Sequence, residues 1–440
     1  METKARELHA KMLLGLVAAE QGWGVLLGSK SALRNIQRHL PRGMFFEKGV
    51  APGTAQAIDS ARTCGHRVSA SCEEGLLYLN PDEYHERRID PQVMAVIDYF
   101  FAWGARHATD VRAASERADD KVVNSGNPRF DLVRPEWRGI FARAAGDIRK
   151  RYGPIILLNT KFPMVNNIAR TIGDYTDYLK SVGKVRSKEH EALIRRFAMV
   201  QQQVFFRMLD LVPTLARAFQ SHTIIIRPHP SEDDAPWVER AKDLANVNVV
   251  FEGNVLEWIT ASDVVVQSNC ITGIETFLLE KASISYRPVK DDEAEFELAR
   301  RVGLQASTDA EAIALIQGVL SGEVNVGEQY LAQREIARPY IANMDDRLAC
   351  EVIMETFNGL NLPLCEGAFP VRPTGISGLI TGLMSGPVVR ALLAYNRKKF
   401  PRLRLAEMEG LRADFQNVSG RFANVEITQA TNDGFCLYRP

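Results

Sequence analysis

The sequence predicts an α/β protein made of two successive doubly wound halves, and three observations predict it. Short β-branched or aromatic runs such as Ile224-Ile225-Ile226 and Val264-Val265-Val266 read as strands buried on both faces. Segments of helical period separate them, and such βαβα alternation implies a parallel sheet covered by helices. The pattern also restarts, with Pro154-Ile155-Ile156-Leu157-Leu158 opening a second series. A chain of 440 residues is too long for one core and fits two domains or three. The expected boundaries are 1–145, 146–360 and 361–440.

In chain order, apolar residues at 8, 12, 13, 16 and 17 mark an opening helix from Ala5 to Glu20. Trp23 to Gly28 reads as a strand. A half of this kind normally begins with a strand, and here it begins on a helix, with Met1 to Lys4 too polar to supply the missing one. Met44 to Glu47, His66 to Ser71, Asp98 to Gly104 and Lys121 to Val123 follow as strands, with helices at Thr54 to Thr63 and from Gly104 to about Ser115. In the second half the strands are Pro154 to Lys161, Ile224 to Ile226, Val247 to Phe251, Asp263 to Gln267 and Lys281 to Tyr286. Helices are expected at 188–219, 235–244 and 256–261, and again at 310–320, 328–336 and 347–357. Gly420 to Tyr438 reads as a small β-ribbon.

Composition excludes several classes. Lys+Arg and Asp+Glu each number 54, so net charge makes no case for nucleic acid. Cysteines at 64, 72, 270, 350, 365 and 436 form no CxxC pair, which argues against a zinc site or a disulfide framework and suits a reducing cytoplasm. The first apolar run, Met12 to Ala19, is too short to span a membrane. Between Gly367 and Ala406 there is no acidic residue, while Arg372, Arg390, Arg397, Lys398, Lys399, Arg402 and Arg404 are basic. A basic amphipathic helix at 387–404 either lies on an anionic membrane surface or packs on the first domain with a solvated charged face.

Chemistry is expected where strands end, because ligands of open α/β sheets bind outside the carboxyl ends of the strands. Pro228 and Pro230 stop a strand abruptly and hold Arg227 and His229 in extended geometry. Ser268, Asn269, Cys270 and Thr272 lie between a strand and a helix, either as a plain N-cap or as a phosphate site. Glu275, a turn further on, is placed to accept from ribose hydroxyls, and Lys161 to hold a phosphate or a sugar carboxylate. Glu73 and Glu74 bring two carboxylates to one strand end; their repulsion raises one pKa, as suits a general acid, base or nucleophile. Arg6 and Glu7 open the first helix toward the same cleft, and Gly126-Asn127 permits close backbone approach. No DxD pair sits at a strand end, so no metal or other cofactor is expected.

Arg6-Glu7-Leu8, Glu73-Glu74-Gly75-Leu76, Gly126-Asn127-Pro128-Arg129-Phe130-Asp131, Leu158-Asn159-Thr160-Lys161-Phe162, Arg227-Pro228-His229-Pro230 and Asn269-Cys270-Ile271-Thr272-Gly273-Ile274-Glu275 occur in that order. Together they resemble the bacterial surface carbohydrate biosynthesis proteins, a GT-B group akin to capsule and lipopolysaccharide Kdo transferases, over roughly residues 5 to 350. The resemblance implies two Rossmann-like domains facing across a cleft, with C-terminal helices. It implies a cytoplasmic or peripheral-membrane glycosyltransferase moving Kdo or another ulosonic acid from a CMP donor to a glycan or lipid-linked glycan. A UDP-sugar transferase or a non-hydrolysing UDP-sugar 2-epimerase is the alternative on the same scaffold. The histidine-proline and serine motifs also look like those with which bacterial GT-B sialyltransferases hold a CMP-sugar. By that likeness His229 and Pro230 bind the cytidylate, Ser268 and Asn269 its phosphate, and Glu73 or Glu74 is catalytic. Two departures stand out: Cys72 replaces the acid usual before the glutamates, and the first strand is missing.

Overall fold

The computed structural model describes residues 1–167, 175–181, 185, 187–360, 362 and 399–440. Its strands are β1 (Val25–Gly28), β2 (Met44–Glu47), β3 (Arg67–Ser71), β4 (Tyr99–Ala102), β5 (Val122–Asn124), β6 (Ile155–Asn159), β7 (Thr223–Arg227), β8 (Val247–Val249), β9 (Val264–Gln267), β10 (Ala282–Tyr286), β11 (Leu304–Ala306), β12 (Glu426–Thr431) and β13 (Gly434–Tyr438). They fall into two compact units, of residues 1–73, 89–140 and 341–440, and of residues 74–88 and 141–340. The division differs from the contiguous one expected at 145 and 360. The chain leaves the first unit, completes the second and returns at 341, and residues 399–440 add their elements to the first unit instead of forming a third body.

In the second unit six strands form one sheet in the order β11-β10-β9-β6-β7-β8, all parallel. Numbered from its own first strand, this sheet runs 6-5-4-1-2-3, the doubly wound order whose direction reverses beside strand 1. The switch point therefore lies between β6 and β9. Ile155 to Leu158, Ile224 to Ile226 and Val264 to Val266 are all buried, as β-branched strands covered on both faces must be. On one face lies the helix Lys188–Ala218, whose Val204, Phe205, Met208, Leu211, Val212 and Leu215 join that core. Pro213 within it cannot donate to Leu209. The carbonyl left over is taken by Arg240 Nε at 3.0 Å, which keeps the helix continuous.

The first unit holds a four-stranded parallel sheet in sequential order, β2-β3-β4-β5. Right-handed crossovers that always step the same way put their helices on one face. The other face is covered by the returning chain: Phe357 of the helix Ala349–Asn358 packs edge-on against Phe46 and Phe101. The opening helix Lys4–Glu20 buries eleven of its seventeen residues, a helix apolar nearly all round. β1 does not join the parallel sheet. It pairs antiparallel with β13, which pairs with β12. The expected C-terminal ribbon is thus present, and Trp23 to Gly28 is a strand as read, in a different sheet.

Among the described residues no helix is long and apolar enough to cross a membrane. Of the basic segment 387–404, residues 387–398 lie outside the described residues.

Candidate functional site

At the switch point the ends of β6 and β9 are joined by side chains. Asn159 Nδ2 donates to Thr272 Oγ1 at 2.9 Å, and Lys161 Nζ donates to the Asn269 carbonyl at 2.9 Å. The helix Ile271–Leu278 starts here, with its N-terminal end directed at the corner. Its close approach depends on Gly273, where a Cβ would collide with the Gln267 side chain. Gln267 Oε1 accepts from the Cys270 N–H at 3.1 Å and so holds the turn. Asn269 adopts φ 46°, the left-handed conformation that asparagine tolerates best after glycine.

Two polar groups at this corner carry chemistry. Ser268 Oγ is buried, in a residue 4% exposed, and has no hydrogen-bond partner among the described residues. Buried hydroxyls are rarely left so. Lys161 lies 4.1 Å from the Phe296 ring centroid. Burial lowers its pKa to about 8, against the opposing influence of Cys270, Glu74 and Glu295. A lysine charged at neutral pH, yet close to losing its proton, is the kind of group found in binding and catalytic sites.

β7 lies on the far side of β6 from β9, so the two motif strands are not neighbours. What ties their loops is Glu232, a residue that sequence reasoning passed over. Its carboxylate is fully buried; Oε1 accepts from Thr160 Oγ1 at 2.8 Å, Phe162 N at 2.8 Å and His229 N at 3.2 Å, and Oε2 from Trp237 Nε1 at 3.2 Å. Burial raises its pKa, and the four donors oppose that rise. The segment after β6 that carries Lys161 and the segment after β7 that carries His229 and Pro230 are thereby fixed to one anchor. His229 Nδ1 accepts from the Ser231 N–H at 3.1 Å, so the neutral ring carries its proton on Nε2, a donor. The one sequence signal was an acid two residues beyond the His-Pro pair.

Several residues expected at a ligand are otherwise engaged. Arg227 donates through Nη2 to the Gly253 carbonyl at 2.7 Å and through Nη1 to that of Glu252, and burial lowers its pKa to about 10. It braces the loop after β8. Asn269 exchanges both amide bonds with the Phe296 backbone, so its side chain is occupied. Glu275, expected to meet a ribose, is 0% exposed within its helix. Burial pushes the Cys270 thiol up, which keeps it neutral. Asn127 belongs to the first unit and caps the turn Pro128–Asp131 by accepting from Arg129 N at 2.9 Å. In the same motif Gly126 takes φ +79°, and Asp131 accepts from Ala349 N at 2.8 Å and Cys350 N at 3.0 Å, capping the helix that covers the sheet.

The two adjacent glutamates part company, and the unit boundary falls between them. Glu73 turns into the first unit, where Lys11 Nζ lies 3.2 Å from Oε1 and Arg6 donates to its backbone carbonyl at 3.0 Å. Burial would raise its pKa, but Lys11 and Arg6 prevail and hold it below the ordinary value. The carboxylate that rises is Glu7, through burial first and the charge of Glu73 second, although Thr3 N donates to it at 2.9 Å. The acid pair is therefore Glu7 with Glu73, one protonated more readily than the other, and Glu74, like Glu295, is a carboxylate that acts on Lys161. Trp103 Nε1 donates to the Cys72 carbonyl, so position 72 is held by its backbone while its side chain is buried. Among the described residues no group of three or more His, Cys, Asp or Glu side chains is placed to hold a metal ion.

The site is thus an anion-type corner on an α/β sheet of doubly wound order. No family model matches the chain, and no curated protein matches it. Among solved structures the chain is similar to a Staphylococcus aureus MnaA–UDP complex, with 13% identity, 81% of each chain covered and a TM-score of 0.43. It is also similar to Neisseria meningitidis UDP-GlcNAc 2-epimerase bound to UDP-GlcNAc, with 15% identity, 75% and 80% of the chains covered and a TM-score of 0.43. A third is the wall teichoic acid polymerase TagF, with 10% identity, 80% and 97% of the chains covered and a TM-score of 0.40.

Proposed function

We propose that the protein is a glycosyltransferase that binds a nucleotide-sugar at the β6–β9 corner of its second unit, on a GT-B scaffold. The observation that carries this reading is the Ser268 hydroxyl, buried without a partner among the described residues at a helix N-terminus and a switch point, with the Lys161 ammonium on the adjoining strand end. A phosphate there gains a hydroxyl donor, a cation and the positive end of a helix together. The Nε2–H of His229 is the group suited to neutralise a departing nucleotide. Ser268, Lys161, His229 and Pro230 are the donor-binding residues on this reading.

For the chemical step the reading takes Glu7 and Glu73 of the first unit, whose pKa values are pushed in opposite directions, as the acid–base candidates. The motif resemblance supports an ulosonic acid such as Kdo carried on CMP, with a surface glycan or lipid-linked glycan as acceptor. The test is incubation with CMP-Kdo and with UDP-N-acetylglucosamine, each with and without a glycan acceptor. Transfer from CMP-Kdo only when acceptor is present supports the reading. Turnover of the UDP-sugar with no acceptor would instead identify an epimerase.

A further inference from the structure

The first unit contains a cavity of about 280 Å³, walled by β1, β2 and the Phe357 face of the helix Ala349–Asn358. Small-molecule pockets run from roughly 300 to 1,000 Å³, so this one suits a small ligand or part of a larger one. Its lining is mixed. Leu14, Val25, Leu33 and Phe357 make an apolar part, and four cationic side chains and two carboxylates face the same space.

All but one of those charged side chains are answered within the unit. Glu47 lies 3.2 Å from Lys30 Nζ and accepts from Arg34 Nη2 at 3.2 Å. Lys48 pairs with Glu2, and Lys11 with Glu73. Glu7 accepts from the backbone N–H of Thr3 at 2.9 Å and of Glu2 at 3.1 Å. Arg42 is the exception: it is exposed, lines the cavity and has no ion pair or hydrogen bond among the described residues.

The chain nevertheless holds Arg42 in place. His66 Nδ1 accepts from the Gly43 N–H at 3.3 Å, which leaves Nε2 to donate to the Gln37 carbonyl at 2.9 Å, so one ring clamps both ends of the loop that carries Arg42. The arginine stem lies against Gly65, at φ +85°, where a Cβ would stand 3.0 Å from Nε and 3.4 Å from Cδ. The surrounding charge is one-sided. From Gln21 to Phe46 there is no acidic residue, and Lys30, Arg34, Arg38 and Arg42 recur at every fourth position. Glu47 answers the first two, while Arg38 donates to His39, which carries no negative charge.

We propose that this cavity binds a single-chain alkyl phosphate, with the phosphate on Arg42 and the chain against Leu14, Val25, Leu33 and Phe357. A guanidinium presents two parallel N–H donors that match a phosphate, and the apolar wall removes the chain from water. The inference rests on the first unit alone and not on the nucleotide reading.

Isothermal titration of the full chain with decyl phosphate, kept below the concentration at which it forms micelles, tests this. One saturable site is expected, with butyl phosphate at least tenfold weaker for want of buried methylenes and inorganic phosphate giving no heat. Arg42→Gln, at an exposed position, should weaken decyl phosphate about tenfold and leave decanol binding as in the parent. Trp23 lines the cavity, so its emission should shift on binding, and Trp23→Phe should remove that shift. The phosphate corner of the second unit is the competing site, so the titration is repeated in Lys161→Met and in excess CMP, where unchanged affinity is expected. Loss of binding in either would assign the ligand to that corner and overturn the proposal. So would equal affinity of the parent and Arg42→Gln, or the absence of a saturable site. Arg42-dependent binding to phosphatidylglycerol vesicles without binding of the free amphiphile would make Arg42 a membrane contact and overturn it too.

Discussion

Replacing Glu232 should disconnect the two loops that carry Lys161 and His229, and the structure sets the size of the effect. Oε1 accepts three hydrogen bonds and Oε2 one. In Glu232→Gln the amide oxygen can take the place of Oε1 and keep three, while its NH₂ then confronts the Trp237 N–H. One buried donor is left unmade, which costs about 1–3 kcal/mol. In Glu232→Ala all four donors lose their acceptor in a buried site, and the loss should reach about 4 kcal/mol or more. Urea unfolding at pH 7 measures both. There is also a pH signature. Burial raises the Glu232 pKa, so the folded protein holds that proton more tightly than the unfolded chain does. The carboxyl's contribution is therefore fully present below its unfolded pKa and is lost as pH rises through the raised folded value. Glu232→Gln should flatten that decline. If both variants unfold within about 0.5 kcal/mol of the parent, Glu232 is no anchor and the reasoning fails.

Phosphate affinity should fall as pH rises through about 8, where Lys161 loses its charge; Lys161→Met should bind about tenfold more weakly at pH 7, about 1.4 kcal/mol, with a flat profile. Arg227→Ala removes the donors to the Glu252 and Gly253 carbonyls. It should lower stability by about 2–3 kcal/mol in urea unfolding, and calorimetry on the folded variant should find nucleotide affinity within about threefold of the parent. Asp131→Asn loses one of two capping bonds to Ala349 and Cys350, at about 1–2 kcal/mol. Because the Asp131 pKa is raised from 3.8 to about 6, its contribution is present below the first value and lost as pH rises through the second. That slope should vanish in the variant's unfolding curves.

The alternation of elements was legible because buried parallel strands need apolar runs: Met44 to Glu47 is β2 to the residue, and Val264 to Gln267 lies within the stretch expected. Pairing was not legible. Nothing local to Val25–Gly28 shows that β13, four hundred residues on, is its neighbour, and helices such as Pro81–Arg88 have too few apolar residues to display a period. At the candidate site, Lys161 and Ser268, both expected from strand ends, lie at one corner. The sequence did not show how their neighbours are used, because an arginine after a strand has the same appearance whether it faces a phosphate or, like Arg227, two carbonyls of its own chain. Glu73 and Glu74 looked like a repelling pair because they are adjacent, yet successive residues in a turn point apart. The partner that raises Glu7 comes from 66 positions away.

The central claim is that the Ser268 hydroxyl receives a nucleotide phosphate. Isothermal titration of the parent and Ser268→Ala with CMP, UDP and GDP tests it directly. The account predicts saturable binding of CMP ahead of the other two and about tenfold weaker binding in the variant, worth about 1.4 kcal/mol, with unfolding stability unchanged because the hydroxyl has no partner among the described residues to lose. A variant that binds the nucleotide as tightly as the parent would contradict it.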